Sequence, residues 1–118
     1  MFTIYHNTRC SKSRQTLGLL EDYTQSSKED FTVIEYLKTP LTIQEIKQLL
    51  IQLNCKPIEM MRTKEALFNQ LNLKKAEEDE LLQAMVDNPK LIERPIVSNG
   101  ISAIIGRPPE NITMLFKQ

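Results

Sequence analysis

Two cysteines occur in the 118-residue chain, Cys10 and Cys55, and only Cys10 has the neighbours of a reactive thiol. Arg9, Lys12 and Arg14 flank it, and His6, the single histidine, stands four residues upstream. Cations close to a thiol favour the thiolate, which is the nucleophilic form. A cysteine kept only for packing would sit on an apolar face, and Cys10 does not. Spacing excludes two familiar chemistries. The third residue after Cys10 is Ser13, so there is no Cys-x-x-Cys dithiol, and the sixth is Thr16, so there is no Cys-x5-Arg phosphate loop. Metal chemistry would need more ligands than His6, Cys10 and the distant Cys55, so no metal is expected.

Arginine supplies the second chemical signal. The chain has five, Arg9, Arg14, Arg62, Arg94 and Arg107, and two of them directly precede proline, at Arg94-Pro95 and Arg107-Pro108. Guanidinium forks suit tetrahedral oxyanions through paired, charge-assisted hydrogen bonds. Five scattered surface arginines would satisfy the same count. Lys plus Arg total 15 and Asp plus Glu total 15, a net charge of zero, which argues against a nucleic-acid or membrane binder. The acidic residues gather mainly on expected helix faces, which leaves the arginine segments locally cationic. The first residues lack a basic segment followed by an apolar one, and no apolar run approaches the ~18 residues of a membrane span, so a cytoplasmic protein is expected. In that reducing compartment a structural Cys10–Cys55 disulfide is not expected. Nor is Cys55, near a helix end without a cationic cluster, expected to resolve an adduct on Cys10.

The elements that must position these residues follow from periodicity and punctuation. Phe2 to Tyr5 reads as a strand, His6 to Arg9 as a polar loop, and a helix follows from Ser11 with Leu17, Leu20 and Tyr23 on one face. Cys10 then lies just before a helix start, where free N–H groups and the helix dipole favour a thiolate. Phe31 to Leu37 reads as a second strand, broken by Thr39-Pro40. Thr42 with Glu45 forms a capping box for a helix whose apolar face uses Ile43, Ile46, Leu49, Leu50 and Leu53. A charged helical stretch covers Pro57 to Lys90: a short helix near Lys64 to Leu71, a solvated helix face at Lys74 to Glu80, and Leu81 to Val86, ended by Asp87-Asn88-Pro89. Ile96 to Ser98 and Ile101 to Ile105 read as a hairpin on an Asn99-Gly100 type I′ turn. A last helix is expected from Pro109 to Phe116. This order predicts an α/β fold in one domain over 1–118: a thioredoxin-like mixed four-stranded sheet flanked by helices, with a helical insert between strands 2 and 3.

The segment His6-Asn7-Thr8-Arg9-Cys10-Ser11-Lys12-Ser13-Arg14 resembles the active-site motif His-Asn-Pro-x-Cys-x-x-Ser-Arg of the glutaredoxin-linked, glutathione-dependent arsenate reductase family. Met61-Arg62-Thr63-Lys64-Glu65 echoes that family's Leu-Arg-Thr-Lys. Pro89-Lys90-Leu91-Ile92-Glu93-Arg94-Pro95-Ile96-Val97 and Ile105-Gly106-Arg107-Pro108-Pro109-Glu110 match two further signatures. The resemblance runs from the first strand to the last helix and departs at Thr8, where proline is usual and would fix φ. It implies that Cys10 is the nucleophile and that Arg62, Arg94 and Arg107 hold the oxyanion. It further implies that Ser13 and Arg14 support the thiolate loop, that His6 helps lower the Cys10 pKa, and that Pro95 takes the cis-proline position. The activity implied is reduction of arsenate to arsenite by a monomer with no bound cofactor, glutathione as co-substrate and glutaredoxin as partner. Two other readings of the same fold are an Spx-like regulatory protein that binds RNA polymerase, whose usual Cys-x-x-Cys is here Cys10 and Ser13, and a glutathione-linked thiol-transfer enzyme with another substrate.

Overall fold

Four short strands form one sheet in the order β2-β1-β3-β4 in a computed structural model that describes residues 1–117. Gln118, the last residue of the domain expected over 1–118, lies outside the described residues. β1 (Phe2–Tyr5) runs parallel to β2 (Phe31–Ile34) and antiparallel to β3 (Ile96–Ser98), and β4 (Ala103–Ile105) pairs antiparallel with β3. The parallel pair is joined by α1 (Ser11–Ser27), the crossover that parallel strands require. Between β2 and β3 lie α2 (Ile43–Leu53), α3 (Ala66–Gln70) and α4 (Glu78–Asp87), linked by 3-10 turns at Pro57–Met60, Leu73–Lys75 and Pro89–Leu91. The chain closes with a 3-10 helix at Pro109–Lys117.

Strand alternation divides the core between the two faces of the sheet. Phe2, Ile4 and Val97 pack with Leu20 of α1 and with Ile112 and Leu115 of the last helix. Tyr5, Ile96, Ala103 and Ile105 face the insert, where Ile46, Leu49, Phe68 and Met85 are buried. Tyr23 of α1 stacks on Phe116 with ring centroids 3.9 Å apart, which ties the two elements of the first face together. On the second face the Thr42–Glu45 capping box forms as expected: the Thr42 hydroxyl accepts from the Glu45 N–H at 3.1 Å and the Glu45 carboxylate accepts from the Thr42 N–H at 3.0 Å.

Three boundaries differ from expectation. β2 ends at Ile34 rather than Leu37. The Glu35 carbonyl accepts the N–H groups of Lys38 and Thr39, both at 2.9 Å, and this turn drives Tyr36 into the core with 1% exposure. The Lys74–Glu80 stretch is not one helix face. Leu73 is buried and holds a 3-10 turn, and α4 starts only at Glu78, where Glu78, Asp79 and Glu80 meet the positive end of the helix. The hairpin is not a two-residue type I′ turn either. Ser98 pairs with Ala103, the Asn99 N–H donates to the Ser102 carbonyl at 3.0 Å, and Gly100 alone of the four residues between has positive φ (94°), whereas type I′ needs two. The Asn99 side-chain carbonyl accepts from the N–H groups of Ile101 and Ser102, a local bonding pattern that competes with the tighter turn.

One glycine governs how closely α1 approaches the sheet. A Cβ on Gly106 would lie 2.7 Å from Thr16 Oγ1 and 3.0 Å from Pro95 Cγ, while a Cβ on Gly18 in the same helix would meet nothing within 4 Å. Gly106→Ala is therefore expected to cost about 1–3 kcal/mol by overpacking, and Gly18→Ala to add about 0.5–1 kcal/mol of stability through helix propensity. Urea unfolding of the two variants checks this, and equal shifts would contradict the close approach.

Candidate active site

Cys10 is the N-cap residue of α1, with φ −99° and ψ 123°, and the first turn of the helix carries no acidic residue. The free N–H groups of that turn are the ready partners of an anion. The loop before it is tied from several sides. The Cys10 N–H donates to the Asn7 carbonyl at 3.1 Å, the Arg9 N–H to Asn7 Oδ1 at 3.0 Å, and Arg14 Nη1 to the Thr8 carbonyl at 2.9 Å. Ser13 is fully buried. Its hydroxyl accepts from the Asn7 N–H at 3.0 Å and lies 2.6 Å from His6 Nδ1. With Oγ already an acceptor, its own proton is available to an unprotonated Nδ1.

Electrostatics single out Cys10 by a route that differs from expectation. Burial pushes its thiol pKa up, but the Ser13 N–H, the Arg94 charge, the Lys12 N–H and a side-chain hydrogen bond from Arg94 together bring it below the ordinary value. Arg9, Arg14 and His6 are not among these leading contributions. Lys12 acts through its backbone, and Arg14 is spent on the Thr8 carbonyl. His6 is itself held below its ordinary pKa, first by burial and then by Arg14, against the opposing pull of Glu35 and Glu21. It is a neutral ring at pH 7 and meets the site through Ser13, not as a cation beside the thiol. Cys55 shows the reverse behaviour, since burial and then Glu59 raise its pKa.

Across from the helix start, the Arg94-Pro95 peptide is cis, Pro95 is buried, and its carbonyl accepts the Gly106 N–H at 2.8 Å. The Arg107-Pro108 peptide is also cis. The three arginines, far apart in sequence, converge: Arg62, Arg94 and Arg107 line one cavity of about 510 Å³. A bridge between Met61 and Ile92, reinforced by the Arg62 N–H on the Leu91 carbonyl at 2.7 Å, brings the first of them to the others. Cys10 does not line this cavity. Arg94 is the shared group, lowering the thiol pKa while lining the cavity.

Sequence reasoning missed several residues here. Lys64, Glu65 and Glu93 share the cavity, so it is not purely cationic. Glu65 pairs with Arg62 at 3.1 Å, an i,i+3 spacing visible in the sequence. Glu93 lies 3.8 Å from Arg94 Nη1 and 3.6 Å from Arg107 Nη1, and only its adjacency to Arg94 hinted at this. Tyr36, expected in a strand, sits beneath the site. Burial pushes its pKa up to about 12 against the pull of Arg94 and Arg62, so it is a neutral phenol, with a side-chain hydrogen bond to Asn7.

Residues 5–115 match the ArsC family. The chain belongs to that family. The chain is 48% identical over 112 residues to the uncharacterised protein YfgD of Escherichia coli K12, covering 92% of this chain and 91% of YfgD. It is 43% identical over 113 residues to an arsenate reductase of Haemophilus influenzae, covering 92% of this chain and 93% of that one. The solved structure of an arsenate reductase from Vibrio cholerae superposes with a TM-score of 0.86 at 46% identity, covering 96% of this chain and 95% of that one. The ArsC sheet is the thioredoxin-like mixed sheet that the element order predicted.

The opposite pKa directions of the two cysteines predict selective chemistry. At any pH below both pKa values Cys10 has the larger thiolate fraction, so iodoacetamide should modify Cys10 first and Cys55 slowly. Peptide mass mapping across pH checks this, and in Arg94→Gln the Cys10 profile should move to higher pH. Equal modification of the two cysteines at neutral pH would contradict the assignment.

Proposed function

We propose that this ArsC-family chain is an arsenate reductase that works as a cytoplasmic monomer without a bound cofactor, with glutathione as co-substrate and glutaredoxin as partner. The observation that carries the reading is the double position of Arg94, beside an activated thiol and in the wall of an arginine-lined cavity. The names of the Haemophilus influenzae and Vibrio cholerae relatives support arsenate as the oxyanion.

In this mechanism Arg62, Arg94 and Arg107 hold arsenate, and the Cys10 thiolate attacks arsenic. A sulfur–arsenic bond forms, and one oxygen takes up protons and leaves as water. The guanidinium groups stabilise the charge that builds up as the bond forms. The two electrons that convert As(V) to As(III) come from two external thiols, one of glutathione and one of glutaredoxin. These leave as their mixed disulfide; water then replaces the Cys10 sulfur on As(III), so that the sulfur–arsenic bond breaks, arsenite departs and the Cys10 thiolate is regenerated. External thiols are required because Ser13 stands where a dithiol would have its second sulfur, and its hydroxyl is engaged by His6 and Asn7.

The test is arsenate-dependent NADPH oxidation coupled through glutathione and glutaredoxin. Cys10→Ser should abolish the rate, and Cys55→Ser should retain it. Arg94→Lys should lower kcat/KM by about tenfold or more, because Lys cannot make the forked contact. Full activity in Cys10→Ser, or loss of activity in Cys55→Ser, would overturn the mechanism.

A further inference from the structure

Two residues that line the cavity, Glu93 and Arg94, carry unmet hydrogen-bonding groups. Arg94 Nε and Nη1 and Glu93 Oε1 are all buried and have no hydrogen-bond partner among the described residues. Two of these atoms are donors and one is an acceptor. Glu93 Oε1 sits between Arg94 Nη1 and Arg107 Nη1 at 3.8 and 3.6 Å, close enough for charge attraction but beyond hydrogen-bond length. The other carboxylate of the cavity, Glu65, is already engaged by Arg62 at 3.1 Å and Lys90 at 3.7 Å. Buried polar groups are paired in native proteins, and unmet groups on residues that line a cavity point to a ligand whose arrival would pair them.

We infer that Glu93 reads a proton on the bound oxyanion: its carboxylate accepts a hydrogen bond from a hydroxyl of the ligand while Arg94 and Arg107 donate to the ligand's bare oxygens. This deepens the oxyanion-site reading of the proposed function and rests on it. The substrate class becomes tetrahedral oxyanions that keep at least one hydroxyl, such as hydrogen arsenate or hydrogen phosphate. Sulfate, with the same shape and charge but no proton, presents only acceptors. Against Glu93 it would set two acceptors face to face, leaving both buried oxygens without a donor and adding like-charge repulsion. Sites built to hydrogen-bond a ligand hydroxyl reject analogues that lack it more strongly than apolar pockets reject a missing methylene. Glu93 thus confers selectivity at a site whose arginines alone would accept any small dianion.

Equilibrium binding of inorganic phosphate and of sulfate, by calorimetry at pH 8 and matched ionic strength, tests this without turnover. At that pH phosphate is mainly a dianion that keeps one proton, and sulfate is a dianion with none. The wild-type chain should bind phosphate at least about tenfold more tightly than sulfate. In Glu93→Gln, whose amide can donate as well as accept, the ratio should fall towards one, mainly through a gain for sulfate. Glu93→Ala should lose the preference too, which guards against misfolding of a single variant. Sulfate binding as well as phosphate in the wild type, or an unchanged ratio in both variants, would overturn the proton-reading role while leaving the oxyanion pocket standing. Failure of the wild type to bind either anion would remove the oxyanion pocket and this inference with it.

Discussion

The pull of the Arg94 guanidinium on the Cys10 thiolate is the interaction on which the rest of the site depends, and the fold supplies it from two separate directions. Cys10 comes from the start of α1, after the first strand. Arg94 comes from the far side of the helical insert, at the entry to β3. α1 lies close against Pro95 at a seam where a side chain on residue 106 would crowd Thr16 and the Pro95 ring. Thr16 of α1, the Pro95 ring and the Gly106 backbone fill the seam. The Ser13 hydroxyl secures the same helix end from within, by its contacts with His6 and the Asn7 N–H. A loosening of any of these would move the thiol away from its counter-charge.

Around that contact the chain balances charge locally. Its net charge is zero, with 15 basic and 15 acidic residues, and the cavity repeats the balance on a small scale. Arg62 is met by Glu65, and Arg94 and Arg107 share Glu93. The two pairings differ in quality. Arg62 and Glu65 form a close pair at the cavity wall, whereas Glu93 compensates two arginines by field alone and leaves Arg94 Nε and Nη1 without a hydrogen bond. A buried guanidinium with unmet donors is costly in an isolated protein, so the arrangement makes physical sense as a site completed by a ligand. Tyr36, kept neutral by burial, adds a hydroxyl under the loop without adding charge.

Much of this was legible in the residues. Periodicity and capping signals placed α1 and α2, and the element order implied the mixed sheet. Cys10 stood out by its cationic neighbours and its position before a helix. The convergence of Arg62, Arg94 and Arg107 came from family resemblance and not from spacing, because it depends on long-range packing of the insert. What stayed hidden is long-range or conditional on burial. Tyr36 fits a strand pattern, and only its place under the site explains why the chain turns at Glu35. Glu93 reads as an ordinary surface acid until Arg107 is brought to its other side. Neighbours in sequence also misled: Arg9, Arg14 and His6 adjoin Cys10 along the chain, yet the charge that acts on the thiol is Arg94, 84 residues away.

The central claim is that one guanidinium couples the nucleophile to the anion cavity. Coupling of this kind is reciprocal, so an anion that occupies the cavity must weaken the hold of Arg94 on the thiolate. The direct measurement is the ultraviolet thiolate absorbance of the Cys55→Ser protein, titrated against pH with and without saturating phosphate. The Cys10 pKa should rise when phosphate is present, and in an added Arg94→Gln background the starting pKa should be higher and the phosphate effect absent. A Cys10 pKa that stays fixed while phosphate is bound would contradict the account.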